Sequence, residues 1–419
     1  MLGVSIFVTL FVSILSFPLL WISKGFIITW LKTPEILPFF WLIPVTTFLT
    51  GIFQALNYWN SRSRKYLRLS IAQVARNVGE QISKIGIGLA GFATSGVMIG
   101  TIAFGQALST VILFIQFIRD DFIFFKKNIS LSKMWEGARR YKKFPIYSSW
   151  SSFLNILSQQ LPTFMLTAYF SMTITGYYNM GNKILRIPLV FIGNSLAQVF
   201  YQRASKAHYE GNLINVVKDT IHRLIVLGLF PMLVITFAGR EIFILVFGSR
   251  WADAGVYSQI LSIWSFFVLI SAPISTLINI LEKNEFFFVF NIILITSRFI
   301  TLMIGGMTQN ILFTLVLYSV TGTFAYLYFQ FYLCNLVGIP FKQSILQILR
   351  NLSLSAPFLG IIILSKIVTS NNAFLVTLAS GIASILYYLV LYRTDNDINE
   401  LITQIFAGIK NRLSTLKKK

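Results

Sequence analysis

The sequence is poor in the residues that most chemistry needs. It holds one cysteine, Cys334, so no intrachain disulfide can form, and this residue reads as small apolar filler in a helix. Its two histidines, His208 and His222, are far from that cysteine, so no zinc-type ligand set exists. Acid is scarce, with 14 Asp and Glu against 35 Lys and Arg in 419 residues. Asp120-Asp121 is a lone acidic pair, without the further carboxylates that would hold Mg²⁺. No Walker loop, nucleotide-binding domain or usable Ser/His/Asp set is encoded, so no catalytic residue, metal or cofactor is expected. Gly86-Ile87-Gly88-Leu89-Ala90-Gly91 matches the dinucleotide fingerprint, but it follows no strand and lies inside an apolar helix, so that reading fails its own context. Charge is also scarce overall: 12% of residues, about half the share in soluble domains.

What is present is apolar surface. Hydrophobic residues make up 55% of the chain, and the mean hydropathy is +0.72. This excludes a disordered chain and argues against a soluble enzyme, which could not hide so much apolar area. The expectation is an integral membrane protein. A spanning helix needs about 20 mostly apolar residues. Such segments fall at about 2–23, 37–58, 71–91, 95–118, 146–170, 174–200, 220–247, 256–281, 285–306, 308–336, 349–369 and 373–392. The first has no basic residue before Lys24 and is longer than a signal-peptide core. The runs are long and lack period-two alternation, which excludes a β-barrel. The fold class is therefore all-α and polytopic, with about twelve spans. Gly96 and Gly100 form a G-x-x-x-G pattern, expected to mark close helix packing.

The formal charge of +21 is mostly topology. With the N-terminus inside, 25 of the 35 basic residues fall in inward loops and the tail, and five in outward loops. Such a bias marks the cytoplasmic side, so both termini are expected there. The longest basic block, 119–143, reads as a linker near anionic membrane lipids, not as a nucleic-acid site. Outward loops are short, which leaves work within the membrane or on its inner face.

With charges near the span ends counted to their loops, five basic residues and one acid remain within the spans. Each charge at the bilayer centre costs about 2.5–3.5 kcal/mol on insertion scales, so each needs a reason to be there. The third span carries Gln73, Asn77, Glu80 and Lys84 on one face, with Arg76 four residues from Glu80. That is either a self-neutralising set or the wall of a polar cavity. The sixth carries Asn179, Asn182, Lys183, Arg186, Gly193 and Asn194 on one broad face, with Pro188 between. No acid is near Lys183 and Arg186, which makes them the strongest binding candidates. The fifth adds Ser148, Ser152, Asn155 and Gln159; the ninth adds Asn291 and Arg298. A net positive interior lined by amides suits an anionic ligand rich in hydroxyls. Arg grips phosphate oxygens through paired donors, and Asn both donates to and accepts from hydroxyls.

Several short stretches carry a family likeness. They are Phe144-Pro145-Ile146-Tyr147, Leu154-Asn155, Ser158, Leu161-Pro162, Gly176-Tyr177-Tyr178, Arg186-Ile187-Pro188, Gly193 and Val199. A second set is Phe247-Gly248-Ser249-Arg250-Trp251-Ala252-Asp253-Ala254-Gly255, followed by Ser271-Ala272-Pro273. The chain resembles the bacterial polysaccharide repeat-unit flippases, the O-antigen-type transporters of the MATE-like superfamily. The order of Arg and Leu in Lys183-Ile184-Leu185-Arg186 departs slightly from that family's pattern.

The resemblance implies two helix bundles around a central cavity, followed by an extra helix pair. On that layout residues 1–145 form a partial N-terminal bundle of four helices, and 146–345 the six-helix C-terminal bundle. Residues 346–393 are the added pair, and 394–419 a basic cytoplasmic tail. The first two family helices, about 60–80 residues, would be missing, and Glu80 and Lys84 would face Arg298 across the cavity. The implied activity is translocation of an undecaprenyl-diphosphate-linked oligosaccharide across the bacterial cytoplasmic membrane by alternating access, for O-antigen, capsule or exopolysaccharide. Lys183, Arg186 and Arg298 would bind the diphosphate, and Asn155, Asn182 and Asn194 the sugars. Glu80 and Lys84 would form a cavity ion pair or a coupling site. Partners would be the lipid-linked oligosaccharide and membrane lipids, with a polysaccharide polymerase and a chain-length regulator as further candidates. The alternatives are a MATE-like small-molecule antiporter, which would favour acids in its cavity, and a membrane-embedded glycan polymerase or transferase.

Overall fold

The computed structural model describes residues 2–31, 34–63, 65–92, 94–128, 130–140, 149–395 and 399. Among them there is no strand. The helices are α1 (Leu2–Leu31), α2 (Leu42–Arg62), α3 (Tyr66–Leu89), α4 (Ser95–Asp120), α5 (Phe122–Asn128) and α6 (Leu131–Arg140). They continue with α7 (Ser149–Tyr169), α8 (Met172–Pro188), α9 (Asn194–Glu210), α10 (Leu213–Phe247) and α11 (Ala252–Ile274). The last are α12 (Leu277–Ile280), α13 (Asn284–Met307), α14 (Ile311–Leu336), α15 (Phe341–Val368) and α16 (Ala373–Thr394). Most of the tail expected at 394–419, and the Phe144–Tyr147 motif and Ser148, lie outside the described residues.

Nine helical segments among the described residues are long and apolar enough to cross a membrane, and the protein is a polytopic all-α membrane protein. Twelve spans are expected from the sequence. The other three fall on α3 and α7, whose polar stripes lower their hydropathy, and on α8–α9, which are two helices of 17 residues each and singly too short. Length does not exclude α3, whose 24 residues reach about 36 Å at 1.5 Å per residue, against about 30 Å of hydrocarbon.

The chain divides into two compact units, Met1–Leu154 and Asn155–Lys419, with the boundary inside α7. In the first unit α2 packs against α1 and α4, and α3 packs against α4. Its core is Ile52, Phe53, Leu56, Ala72, Leu113 and Phe117. Helix α1 is apolar all round and exposes Phe7, Trp21 and Ile22, as a lipid-facing helix must. The close approach of α3 to α4 is at Gly105, where a Cβ would lie 2.9 Å from the Arg76 carbonyl oxygen. This corrects the expectation drawn from Gly96 and Gly100. Gly100 has no neighbour within 4 Å, and Gly96 abuts the Phe39 ring instead. The α3–α4 crossing sits further along α4 than the motif. Asp120 and Asp121 have a structural task. Lys65 bonds Asp121 at 2.7 Å, and Arg68 pairs with both acids, tying the start of α3 to the end of α4.

In the second unit α10 and α11 make the most intimate pair. A Cβ at Gly255 would meet the Arg240 Cα at 2.6 Å and the Gly239 carbonyl oxygen at 2.7 Å, so the two backbones touch as small residues allow in membranes. Helix α11 also holds α8, where Gly181 abuts Ser258, and α14, where the Ser319 hydroxyl donates to the Ile260 carbonyl at 2.7 Å. One apolar cluster runs through α7 to α14, from Met165 to Ile339. A second joins α10 to α15 and α16, with Phe230 stacked on Tyr387 at 4.1 Å. Cys334 is buried in the larger cluster.

Pro188 has the local effect that its missing N–H predicts. Helix α8 ends there, and a π-helical turn over Leu189–Gly193 leads into α9. The expected single span at 174–200 is thus two helices joined by a wide turn, a feature often found at functional sites.

Candidate functional site

Five helices of the second unit enclose a cavity of about 240 Å³. Helix α7 contributes Asn155, Ser158 and Gln159, and α8 contributes Asn182, Leu185 and Arg186. Helix α11 supplies Trp264, Ser265 and Val268; α13 supplies Asn291, Leu294 and Arg298; α14 supplies Tyr326. The spacings of three and four on α7, α8 and α13 are those of single helix faces. The volume is below the usual 300–1,000 Å³ of small-molecule sites. It suits one polar end of a ligand and not a whole oligosaccharide.

Arg298 is the best-held group. It is 8% exposed, and its Nη1 donates to the Ser158 hydroxyl at 2.8 Å and to the Ser158 carbonyl at 3.2 Å. Its guanidinium stands 5.8 Å from the centre of the Trp264 ring, within cation–π range. Trp264 is itself fixed edge-on to Tyr318 at 5.2 Å. A hydrogen bond to a charged group is worth about 1.5–3 kcal/mol, so Ser158 orients the cation without neutralising it. Arg186 lies on the opposite helix, α8, and is exposed. Among the described residues no carboxylate forms an ion pair with Arg298, Arg186 or Lys183. Asn155 accepts from the Gln159 side-chain amide at 2.5 Å, which leaves its own amide donors for the cavity.

Four of the expected site residues therefore share one cavity: Asn155, Asn182, Arg186 and Arg298. Lys183 does not; it is exposed and lies off the wall. The reason is helical phase. The face of α8 that lines the cavity runs 182, 185 and 186 and continues into the π-helical turn at 189, and a residue at 183 turns about 100° from its neighbour at 182. Asn194 begins α9 just after the π-helical turn, and its side chain lies outside the described ones. Glu80 and Lys84 belong to the first unit, where Lys84 Nζ bonds Glu80 Oε1 within α3. Arg76, expected as the third member of that set, forms no ion pair among the described residues. No cluster of His, Cys, Asp and Glu suited to a metal occurs among the described residues.

Residues 4–256 match the family model described as polysaccharide biosynthesis protein. The chain belongs to the polysaccharide biosynthesis protein family. Among curated proteins none matches its sequence significantly. A solved structure titled lipid II flippase MurJ, inward closed conformation, shares its fold. That likeness has a TM-score of 0.65 at 14% identity, covering 91% of this chain and 83% of the other.

For this family member the sequence left two site features unread. Trp264 and Tyr326 line the cavity but look like ordinary apolar residues of a span. The available signal was position, since Trp and Tyr usually gather at the membrane interfaces and these two fall mid-helix. Outside the cavity a charged pair between α10 and α15 is also unread. Lys366 Nζ stands 3.1 Å from Glu241 Oε1, and Glu241 is 1% exposed.

Proposed function

We propose that this chain is a flippase that moves undecaprenyl-diphosphate-linked oligosaccharide repeat units across the cytoplasmic membrane by alternating access. The product would feed a surface polysaccharide such as O-antigen, capsule or exopolysaccharide. One observation supports this reading above the rest: Arg186 and Arg298 share a cavity with amide side chains, and among the described residues no carboxylate pairs with either arginine. Arg298 is buried, an unpaired buried cation is costly, and a diphosphate supplies the missing charge. Asn155 and Asn182 then contact sugar hydroxyls, and the apolar remainder of the wall excludes water. Family membership supports the polysaccharide context, and the fold likeness supports the architecture.

The test is surface polysaccharide made in a host that depends on this chain. Arg298→Ala and Arg186→Ala, expressed in the membrane at the level of the unaltered protein, should each abolish or strongly reduce it. Arg186→Lys should retain part, because charge survives but the paired donors do not. Undiminished polysaccharide in both alanine variants would refute the assignment.

A further inference from the structure

A second polar cavity, of about 420 Å³, lies in the hairpin of α9 and α10. It is separate from the cavity described above and shares no residue with it. Its cations are Arg203, Lys206 and Arg223, and its acids are Glu210 and Asp219. Lys206 and Glu210 stand 3.5 Å apart and offset one another. Arg203, Arg223 and Asp219 have no hydrogen bond or ion pair among the described residues, although Asp219 and Arg223 are one helical turn apart. The Nε of Arg223 is a buried donor with no acceptor. The wall also includes Asn212 and Val216 in the first turn of α10, and Asn212 places no side-chain cap on that helix. An uncapped N-terminus adds free N–H groups and a positive field.

Depth says what can reach this cavity. Helix α10 has 35 residues and is about 52 Å long, some 20 Å more than the hydrocarbon is thick. Its far end exposes Leu245 and Val246, so that end is in lipid and the excess lies at the α9–α10 hairpin. Counted back along the helix, Arg223 stands about 6 Å outside the hydrocarbon, at the level of lipid headgroups. Tyr201, half-exposed on α9 beside Arg203, is the kind of side chain found at that level. The hairpin belongs to the side richer in basic loops.

The geometry points to a binding site for the phosphate group of a membrane lipid, held by Arg203 and Arg223 in the α9–α10 hairpin. With Lys206 offset by Glu210, one excess positive charge remains after Asp219 is counted, which suits a single phosphate better than a polyanion. The same phosphate chemistry is carried by a resident phospholipid and by a polyprenyl phosphate, and the experiment separates them. The site is independent of the flippase reading and would hold for a membrane protein of any activity.

The purified full chain is examined by native mass spectrometry with phosphatidylglycerol, undecaprenyl phosphate or diacylglycerol as the added lipid. The unaltered protein should retain one or both phosphate lipids, and diacylglycerol much less. Arg203→Gln with Arg223→Gln should cut that retention at least fivefold, and the lipid that falls more identifies the source. Arg203→Lys with Arg223→Lys should keep most of it. Asp219→Asn should raise retention at least twofold, a gain that misfolding cannot mimic. Equal retention of the phosphate lipids by the unaltered and glutamine proteins, with no gain in Asp219→Asn, overturns the proposal; so does equal retention of diacylglycerol.

Discussion

Replacing Lys366 with methionine should destabilise the second unit more than any other single loss of charge outside the cavity. Glu241 is almost wholly buried on α10. Its Oε1 meets Lys366 at 3.1 Å, and its Oε2 is buried with no hydrogen-bond partner among the described residues. Lys366 is less committed. Its side chain keeps 25% of its exposure, and its ammonium also donates to the Phe237 carbonyl at 2.9 Å. The two deletions are therefore unequal. Lys366→Met strands a carboxylate in the interior, and removing one partner of a buried pair costs about 3–5 kcal/mol. Because the Lys366 side chain is a quarter exposed, the lower part of that range applies, about 3–4 kcal/mol. Glu241→Gln removes the charge that was hardest to bury. It leaves Lys366, near the end of α15, its Phe237 carbonyl partner on α10, a loss of about 1 kcal/mol. Glu241→Met with Lys366→Met removes both charges and should fall within about 1 kcal/mol of the unaltered protein. The measurement is unfolding of the purified chain in detergent by denaturant, followed by gel filtration of the survivors. The expected order of stability is unaltered and double methionine variant together, then Glu241→Gln, then Lys366→Met. If the double variant is as damaged as Lys366→Met, the loss comes from packing and the reasoning fails.

Three further outcomes follow from local geometry. Gly255→Val should prevent folding or cost at least about 3 kcal/mol, because its Cβ would meet the backbone of Arg240 and Gly239; yield of monodisperse protein reports it. Ser158→Ala removes the hydroxyl that holds Arg298 at 2.8 Å, so polysaccharide export should fall while expression holds, with a loss of up to about 1.5–3 kcal/mol in the orienting bond. Cys334 is fully buried, so the native chain should resist maleimide until denatured. In that silent background, Lys206→Cys should react only from the basic side of sealed vesicles and Ser249→Cys only from the other; labelling of both from one side would refute the topology.

Much of the architecture is legible in the sequence because membrane helices announce themselves by length. The polar helices are harder. Helices α3 and α7 fail a hydropathy test, yet their places between apolar runs and the one-faced polar stripes mark them as spans. Within the site, Arg298 stands out because it is a single charge in a long apolar run. Arg186 and Lys183 are not separable by composition. Only the packing of α8 against α11, fixed at Gly181 and Ser258, sets which of the two turns to the cavity. The pairing of Glu241 with Lys366 is invisible for another reason. It joins residues far apart in the chain, each near the end of a span where a charge needs no special account.

Two kinds of charge inside the membrane carry the functional argument, with Arg76 and Lys183 belonging to neither. Glu80 with Lys84, and Glu241 with Lys366, are closed pairs, and their charges cancel locally. Arg186 and Arg298 are open: each lines the cavity, and neither pairs with a carboxylate among the described residues. A structural role does not call for two uncompensated cations in one cavity, and at buried Arg298 desolvation would favour an apolar side chain or a neutralised pair. Selection for an anion that comes and goes does require it, since a resident carboxylate would compete with the ligand. The closed pairs are therefore expected to tolerate joint replacement by apolar residues with function kept. The open pair should tolerate no loss of charge, even where stability improves.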